Sequence, residues 1–373
     1  MSDPQPTSTC SPPRTWAEID LSALRNNLKV SRDISGQSIM VVLKAAAYGH
    51  DIKEIALALD QEGIAFYGVA SVIEARRVHS TGSKTRIYLL GPTLADERAE
   101  IVNHRWTPCI SSLEEAQHFS ELNTGNSLLP VHITVDTGMG RGGFLPSTLN
   151  SALSEILKLK NISVEGIGSH LPSADEDREF TLSQFEAFND IVRDCDHPFK
   201  FIHLANSAGI LDYSSSVTNI CNLCRPGIML YGISPMKEYQ QKLKPVMSLK
   251  SKITIIRELP AGHGVSYGRS VLLDKPTRVA TIGAGYGDGY PRSVSAKNAS
   301  VIIRGVRCPI IGRVTMDQIM VDVSALAEAT AGDIVELFGQ HISVTEVAEN
   351  AGTISWEVLT RITPRVTRIF LNK

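Results

Sequence analysis

Lys44 stands in the segment Leu43-Lys44-Ala45-Ala46-Ala47-Tyr48-Gly49-His50, directly after the apolar run Ile39–Leu43. A lysine amine can form an imine with a carbonyl group or, once neutral, accept a proton. Other residues able to do chemistry occupy the same kind of place. Arg141 closes Asp136-Thr137-Gly138-Met139-Gly140-Arg141, after the run Val131–Val135. His170 ends Glu165-Gly166-Ile167-Gly168-Ser169-His170. His203, Asn206 and Ser207 lie at the end of Phe199–Leu204, and Arg225-Pro226-Gly227 follows Ile220–Cys224. Each alone is ordinary: a lysine whose stem covers an apolar edge, a core histidine, a turn. Their shared position, at the C-terminal ends of short apolar runs, is what needs an explanation.

The runs read as strands: Ile39–Leu43, Phe66–Ala70, Arg86–Leu90, Thr107–Ile110, Val131–Val135, Val164–Gly168, Phe199–Leu204 and a shorter one near Ile220–Cys224. Helix-like segments lie between them, among them Ile52–Gln61, Val72–His79, Leu94–Asn103, Leu113–Glu121 and Leu182–Asp194, and Leu21–Ser31 precedes the first strand. In Ile52–Gln61 the residues Ile52, Ile55, Ala56 and Leu59 have the spacing of one helix face. Continuous apolar strands alternating with helices predict a parallel sheet covered by helices. Eight such units predict a (β/α)8 barrel of the TIM type, whose strand C-termini line one mouth. Lys44, Arg141, His170, His203, Ser207 and Arg225 then share that mouth.

After about residue 245 the pattern changes. Short strands are expected at Ser251–Glu258, Arg278–Ile282, Ser300–Arg304, Pro309–Val314, Ile319–Val323 and Ile334–Phe338, with glycine-rich turns between them. Only Ser343–Ala351 reads as a helix there, with Ser343 and Glu346 as a capping box. The expected organisation is a disordered tail (1–13), a cofactor-binding barrel (14–245) and a C-terminal all-β domain (246–373).

In such barrels the loops after the seventh and eighth strands commonly hold a phosphate. Ser207 offers a hydroxyl there, and Gly227 lets backbone N–H groups approach closely. An imine-forming lysine beside a phosphate cradle points to pyridoxal 5′-phosphate. The 373 residues are 43% hydrophobic and 20% charged with a net charge of −2, the balance of a globular protein without a basic field for nucleic acid or anionic lipid. A small-molecule substrate is expected. The six cysteines are scattered, and Cys221-x-x-Cys224 has no second pair or histidine cluster, so neither a disulfide framework nor a metal site is expected. The polar, proline-rich start lacks the pattern of a signal peptide, and no run is long enough to cross a membrane. A cytoplasmic protein is the expectation.

The ordered series Lys44–His50, Asp136–Arg141, Glu165–His170, His203–Ala208, Arg225–Gly232, Val265–Arg269, Gly285–Arg292 and Gly312–Asp322 resembles the alanine racemase family, from about Trp16 to Phe370. The resemblance implies an amino-acid racemase of pyridoxal phosphate fold type III that interconverts L- and D-alanine by two bases, with D-alanine as a peptidoglycan precursor. It makes Lys44 one base and Tyr267, in Val265-Ser266-Tyr267-Gly268-Arg269, the other. His170 supports Tyr267, since a free tyrosine of pKa about 10 is a poor base at neutral pH. Arg225 faces the pyridine nitrogen, where a permanent cation discourages its protonation. Tyr48, Asn206, Ser207, Gly227 and Ile228 help hold the cofactor; Arg141, Tyr286 and Met316 contact substrate. It also implies a homodimer whose subunits share their sites.

Three positions depart from that family. Thr134 stands where many members carry a carbamylated lysine that orients the equivalent of Arg141. Pro364 replaces a tyrosine that lines the substrate entry, and Ala46 stands where Asn or Asp is common. Loss of a bulky group at position 364 predicts a pocket that accepts serine and larger side chains as well as alanine. A missing group of this kind shifts discrimination by only about 1–3 kcal/mol. A broad-spectrum racemase, a pyridoxal phosphate amino-acid decarboxylase and a non-catalytic pyridoxal phosphate carrier are the alternatives.

Overall fold

The computed structural model describes residues 13–296 and 298–373; the expected tail, apart from Pro13, and Cys10 lie outside the described residues. The chain forms two compact units. One is Leu21–Lys244; the other combines Pro245–Asn372 with the N-terminal strand β1 (Thr15–Asp20).

The first unit holds eight parallel strands: β2 (Ser38–Val42), β3 (Phe66–Val69), β4 (Arg86–Leu89), β5 (Thr107–Ile110), β6 (Leu129–Thr134), β7 (Ile162–Gly168), β8 (Phe201–His203) and β9 (Leu223–Cys224). They pair in the order β8-β7-β6-β5-β4-β3-β2-β9. Their residues are nearly all buried, because both faces are covered. The seam between the end strands is closed by Asn222. Its backbone N–H donates to the Ile202 carbonyl at 3.0 Å, while its side chain accepts from Ile202 N at 2.8 Å and donates to the Lys200 carbonyl at 2.9 Å. The result is the expected (β/α)8 barrel.

Side-chain caps start several covering helices. Asp51 accepts from Lys53 N and Glu54 N, Ser71 from Glu74 N, Ser112 from Glu115 N and Asp177 from Phe180 N. One covering helix that the apolar spacing did not reveal is Pro146–Ile156, which starts on a proline. The helix expected from Leu94 begins at Arg98, because the Glu97 carboxylate accepts the Leu94 N–H and keeps that segment as a turn.

The second unit continues with β10 (Met247–Leu259), the β11–β12 hairpin (Gly264–Val265, Val271–Leu272), β13 (Thr277–Ile282), β14 (Ser300–Ile303), β15 (Val306–Pro309), β16 (Ile319–Asp322), β17 (Ile334–Phe338) and β18 (Thr367–Leu371). Its main sheet runs β15-β14-β17-β10-β1-β18, with β13 joining β10 to β16. Residues 14–20 were expected to open the barrel. Instead β1 buries Trp16, Ala17 and Ile19 in this sheet, antiparallel to β10 and parallel to β18.

The strand expected at Pro309–Val314 lies earlier, at Val306–Pro309. Arg304 and Gly305 both take positive φ and form a tight hairpin turn, and Pro309, with no N–H to donate, ends the strand. Ser343 does cap Val344–Ala351 by accepting from Glu346 N at 3.0 Å, but the Glu346 carboxylate turns outward to Arg307. A second helix, Ser355–Thr360, follows it. Among the described residues no helix is long and apolar enough to cross a membrane, and no three His, Cys, Asp or Glu side chains gather as metal ligands. Cys221 and Cys224 are both buried free thiols.

Candidate active site

Past β2 the chain does something its alanines conceal. Ala45, Ala46, Ala47 and Tyr48 hold φ between 53° and 55°, a left-handed helical turn. Ala47 N donates to the Leu43 carbonyl at 2.7 Å and Gly49 N to that of Ala45 at 2.9 Å. L-residues disfavour this region by roughly 1–2 kcal/mol each, so four in succession must be held from outside. The turn places Lys44 at the strand end and Tyr48 against Tyr231, ring centroids 4.7 Å apart. His50 Nδ1 faces the Ala47 and Tyr48 carbonyls at 3.0 and 2.9 Å, and Tyr231 donates to the Val42 carbonyl at 2.9 Å. At position 46 the left-handed φ also explains why Asn or Asp suits this site, since those side chains tolerate that region best after glycine.

Lys44 is mostly buried. Desolvation, then the charges of Arg141 and Arg225, pull its pKa below the ordinary lysine value, with Glu74 opposing. Arg141 sits at the end of a loop organised by Asp136, whose carboxylate accepts from the N–H groups of Gly138, Met139 and Gly140 at 2.9–3.1 Å. Burial works against ionising Asp136, but those three N–H groups hold its pKa below the usual range.

Arg225 is 7% exposed. Its Nη1 donates to His203 Nδ1 at 2.5 Å and to the His203 carbonyl at 2.8 Å. Its Nη2 donates to the carbonyls of Ser169 at 2.5 Å and Leu204 at 3.1 Å, and to His170 Nδ1 at 3.3 Å. None of these bonds uses Nε. Because a guanidinium only donates, both histidines accept at Nδ1 and carry their proton on Nε2. Burial first, then Arg225, Arg141 and Lys44, drop the His170 pKa to about 3, so it is neutral at pH 7.

The bonds continue inward. His203 Nε2 lies 2.9 Å from His132 Nδ1, so His203 donates and His132 carries its proton on Nε2. That last nitrogen is buried and has no partner among the described residues. His132 is boxed by Phe66, Tyr88 and Phe201, ring centroids 5.4, 5.0 and 5.5 Å away. Gly166 and Gly168 make room for the two imidazoles: a Cβ on either would collide with His132 or His203.

The loops after β8 and β9 bring Ser207 and Gly227 together. Ser207 Oγ accepts from Gly227 N at 2.9 Å and Met229 N at 3.3 Å, and a Cβ on Gly227 would strike the Tyr48 hydroxyl. Tyr48, Ser207 and Ile228 are all buried around it. The Tyr48 and Ser207 hydroxyls meeting at the glycine turn of Gly227 suit a phosphate, while Lys44 and Arg225 Nε, which takes no part in the bonds above, suit a carbonyl and an aromatic nitrogen; the donor set fits pyridoxal phosphate. Asn206 has a supporting place: its Oδ1 caps helix Ser207–Asp212 at Gly209 N and its Nδ2 donates to the Leu171 carbonyl. Thr134 supplies no charge. Its side chain faces Tyr88 and Cys109.

In the second unit, Tyr267 follows the strained Ser266 (φ 62°), whose hydroxyl donates to the Arg313 carbonyl at 2.6 Å, and the tyrosine is 66% exposed. Tyr286 and Gly287 donate their N–H groups to the carbonyls of Thr315 and Met316 at 3.0 and 2.8 Å. The segment 312–316 thereby links the loops of Tyr267, Tyr286 and Met316, whose side chains are all exposed. Asp288, buried at the end of the Tyr286 turn, accepts from Arg365 Nε at 2.7 Å and Nη2 at 3.1 Å, and Thr363 donates to the Gly287 carbonyl at 3.0 Å. Thr363 and Arg365, on either side of Pro364, are thus tied to Gly287 and Asp288.

Sequence reasoning passed over His132, Tyr231 and Glu74. Alternating Gly166 and Gly168 in a buried strand were the available signal for the histidine pair. The Ser71-x-x-Glu74 pattern was a signal for Glu74, though only as a cap.

The profile of the alanine racemase N-terminal domain matches residues 19–235, and that of its C-terminal domain matches 246–370. An alanine racemase of Methylacidiphilum infernorum is 39% identical over 366 residues, 95% of this chain and 92% of that protein. The structure of alanine racemase from Clostridium difficile 630 superposes with a TM-score of 0.90 at 34% identity, covering 96% of both chains. That of Bartonella henselae alanine racemase, described with covalently bound pyridoxal phosphate, gives 0.89 at 30% identity, covering 96% of this chain and all of that one. With a barrel carrying Lys44 at its mouth and a β domain carrying Tyr267, both matched along their length, the chain belongs to the alanine racemase family.

Proposed function

We propose that this protein interconverts L- and D-alanine with pyridoxal phosphate, Lys44 and Tyr267 being the two proton-transferring groups. The observation that carries the reading is Lys44: a largely buried amine, made less basic by two arginines, beside a cradle of Ser207, Gly227 N and Met229 N. Bound there, the cofactor supplies an electron sink that makes an α-proton removable. Lys44 would hold it covalently, Tyr48, Ser207, Gly227 and Ile228 would hold its phosphate, and Arg225 would serve its ring nitrogen as a donor. A guanidinium fixed by five hydrogen bonds stays a donor, which limits charge delocalisation into the ring and so favours inversion over transamination. The amine of Lys44, readily neutral, takes or returns a proton on one face of the substrate, and the Tyr267 phenol does so on the other. Arg141 holds the substrate carboxylate. Each base contributes on the order of 10²–10⁴-fold.

The exposure of Tyr267, Tyr286 and Met316 supports a homodimer in which these side chains of one subunit complete the barrel site of the other. Mixing Lys44→Ala with Tyr267→Ala subunits then restores part of the activity; no recovery, with subunit exchange confirmed, refutes the shared site.

The pocket also accepts serine. Thr363 and Arg365, tied to Gly287 and Asp288, flank Pro364, so a short, hydroxyl-free residue stands at the gate. Purified holoenzyme incubated with L-alanine, L-serine and L-arginine in deuterated water tests the whole reading. D-alanine and D-serine carrying α-deuterium are expected. Negligible serine turnover refutes the widened gate, comparable arginine turnover selects a broad-spectrum racemase, and carbon dioxide release selects a decarboxylase.

A further inference from the structure

Glu74 lies on the first turn of helix Val72–His79, its own N–H capped by Ser71 Oγ at 3.3 Å. A glutamate at this position ordinarily returns to the N–H of the capping residue. This one reaches elsewhere. Its Oε1 accepts from Ala45 N at 2.6 Å and its Oε2 from Ala70 N at 2.8 Å. Ala45 opens the left-handed turn directly after Lys44, and Ala70 follows β3, the strand paired with β2. The first N–H groups of any helical turn lack an internal acceptor, and in a turn of four strained non-glycine residues that vacancy is where an outside anchor acts most directly.

We propose that Glu74 is a positioning residue for Lys44, its carboxylate bridging Ala45 N and Ala70 N so that the left-handed turn, and the lysine at its root, are fixed to the neighbouring strand end. The inference rests on Lys44 being the residue that holds the cofactor. Glu74 also sets the charge around that amine. Burial, Arg141 and Arg225 all favour its neutral form, and Glu74 favours the charged form. Capture of the cofactor requires the neutral amine, whereas a proton carrier must also hold the charged form. Glu74 keeps Lys44 between the two, and its place at a helix N-terminus stabilises the carboxylate that does so.

Three variants separate position from charge. Glu74→Gln keeps the length and one acceptor oxygen but loses the charge. Glu74→Asp keeps the charge but falls a methylene short of bridging both N–H groups. Glu74→Ala loses both. The rate of covalent uptake of pyridoxal phosphate by each apoenzyme, followed by absorbance across pH, reads the amine directly. Its midpoint is expected to move to lower pH in Glu74→Gln and Glu74→Ala, a shift that a purely structural cap would not produce. In alanine racemisation, kcat is expected to fall ~10-fold in Glu74→Gln and ~100-fold in Glu74→Asp and Glu74→Ala, with KM within about threefold, as for a misplaced reacting group. An unshifted midpoint with wild-type kcat in Glu74→Gln overturns the inference, and should Glu74→Ala fail to fold, Glu74→Gln decides alone. Lys44→Ala apoenzyme serves as the reference. Covalent uptake persisting there refutes the assignment of Lys44 itself, whereas its loss there together with unaltered Glu74 variants refutes only the role of Glu74.

Discussion

The line Arg225–His203–His132 makes a prediction whose sign is unusual: a second mutation should rescue the first. In the native barrel Arg225 donates to His203, His203 donates to His132, and the line ends on a buried His132 Nε2 with no partner among the described residues. Leaving a buried polar atom unpaired costs about 2 kcal/mol, and a hydrogen bond from a charged donor is worth about 2 kcal/mol. His132→Leu removes the orphan at Nε2 but creates one at His203 Nε2, so it is close to neutral apart from packing. His203→Leu removes the Arg225 bond and leaves His132 unpaired on both nitrogens, a cost of about 4 kcal/mol. The double variant loses the Arg225 bond but contains no orphaned imidazole. Nη1 keeps the His203 carbonyl at 2.8 Å, and the stability returns to near wild type. The coupling energy is therefore about −4 kcal/mol, far outside the few tenths expected of independent sites. Urea unfolding of the four apoenzymes, followed by circular dichroism, measures it. A double variant as unstable as the sum of the singles would refute both the direction of the chain and the unpaired state of its end.

The same histidines make the fold acid-sensitive. His132 and His170 have folded pKa values of about 3 against about 6.5 in an unfolded chain, so the unfolded state takes up their protons first as pH falls. Stability is then complete above about pH 6.5 and declines toward pH 3 by about 1.4 kcal/mol per pH unit per histidine, roughly 5 kcal/mol from these two by pH 4.5; urea midpoints from pH 7 to 4.5 check this, and a flat profile refutes it. Ala46→Asn relieves the left-handed φ of 54° and should raise the urea midpoint by an amount equivalent to about 0.5–1 kcal/mol, whereas a right-handed turn here would make the change slightly destabilising. Gly227→Ala pushes a methyl into the Tyr48 hydroxyl; overpacking of about 1–3 kcal/mol predicts roughly 5- to 150-fold weaker binding of pyridoxal phosphate to the apoenzyme, read by titration.

The sequence marked Lys44, Arg141, His170, Ser207 and Arg225 as candidates for one physical reason. A strand buried on both faces is a short apolar run, and the polar residue that ends it marks where the chain leaves the barrel. What holds those residues was not legible, because each support depends on a partner far along the chain. Ala45-Ala46-Ala47 has the composition of a right-handed helix and adopts the opposite hand because Glu74, 29 residues on, and the Tyr48–Tyr231 contact fix it. His132 and His203 read as isolated polar residues in strands, and only the glycines of β7 hinted that two rings meet there. β1 reads as a lead-in to the barrel, yet its pairing with β10 and β18 joins it to residues more than 200 positions away. The chemistry of the site and its support therefore follow different rules. The candidate groups of the barrel sit at strand ends, where local pattern singles them out, whereas Tyr267 lies in the β domain and is reached by the family resemblance alone. Their anchors must reach across strands, because a strained turn or a buried guanidinium can be held only by groups that its own segment does not contain. The candidate residues read from the barrel's sequence are thus silent about the forces that aim them, and in this barrel those forces converge on Glu74 for the lysine and on His203 for Arg225.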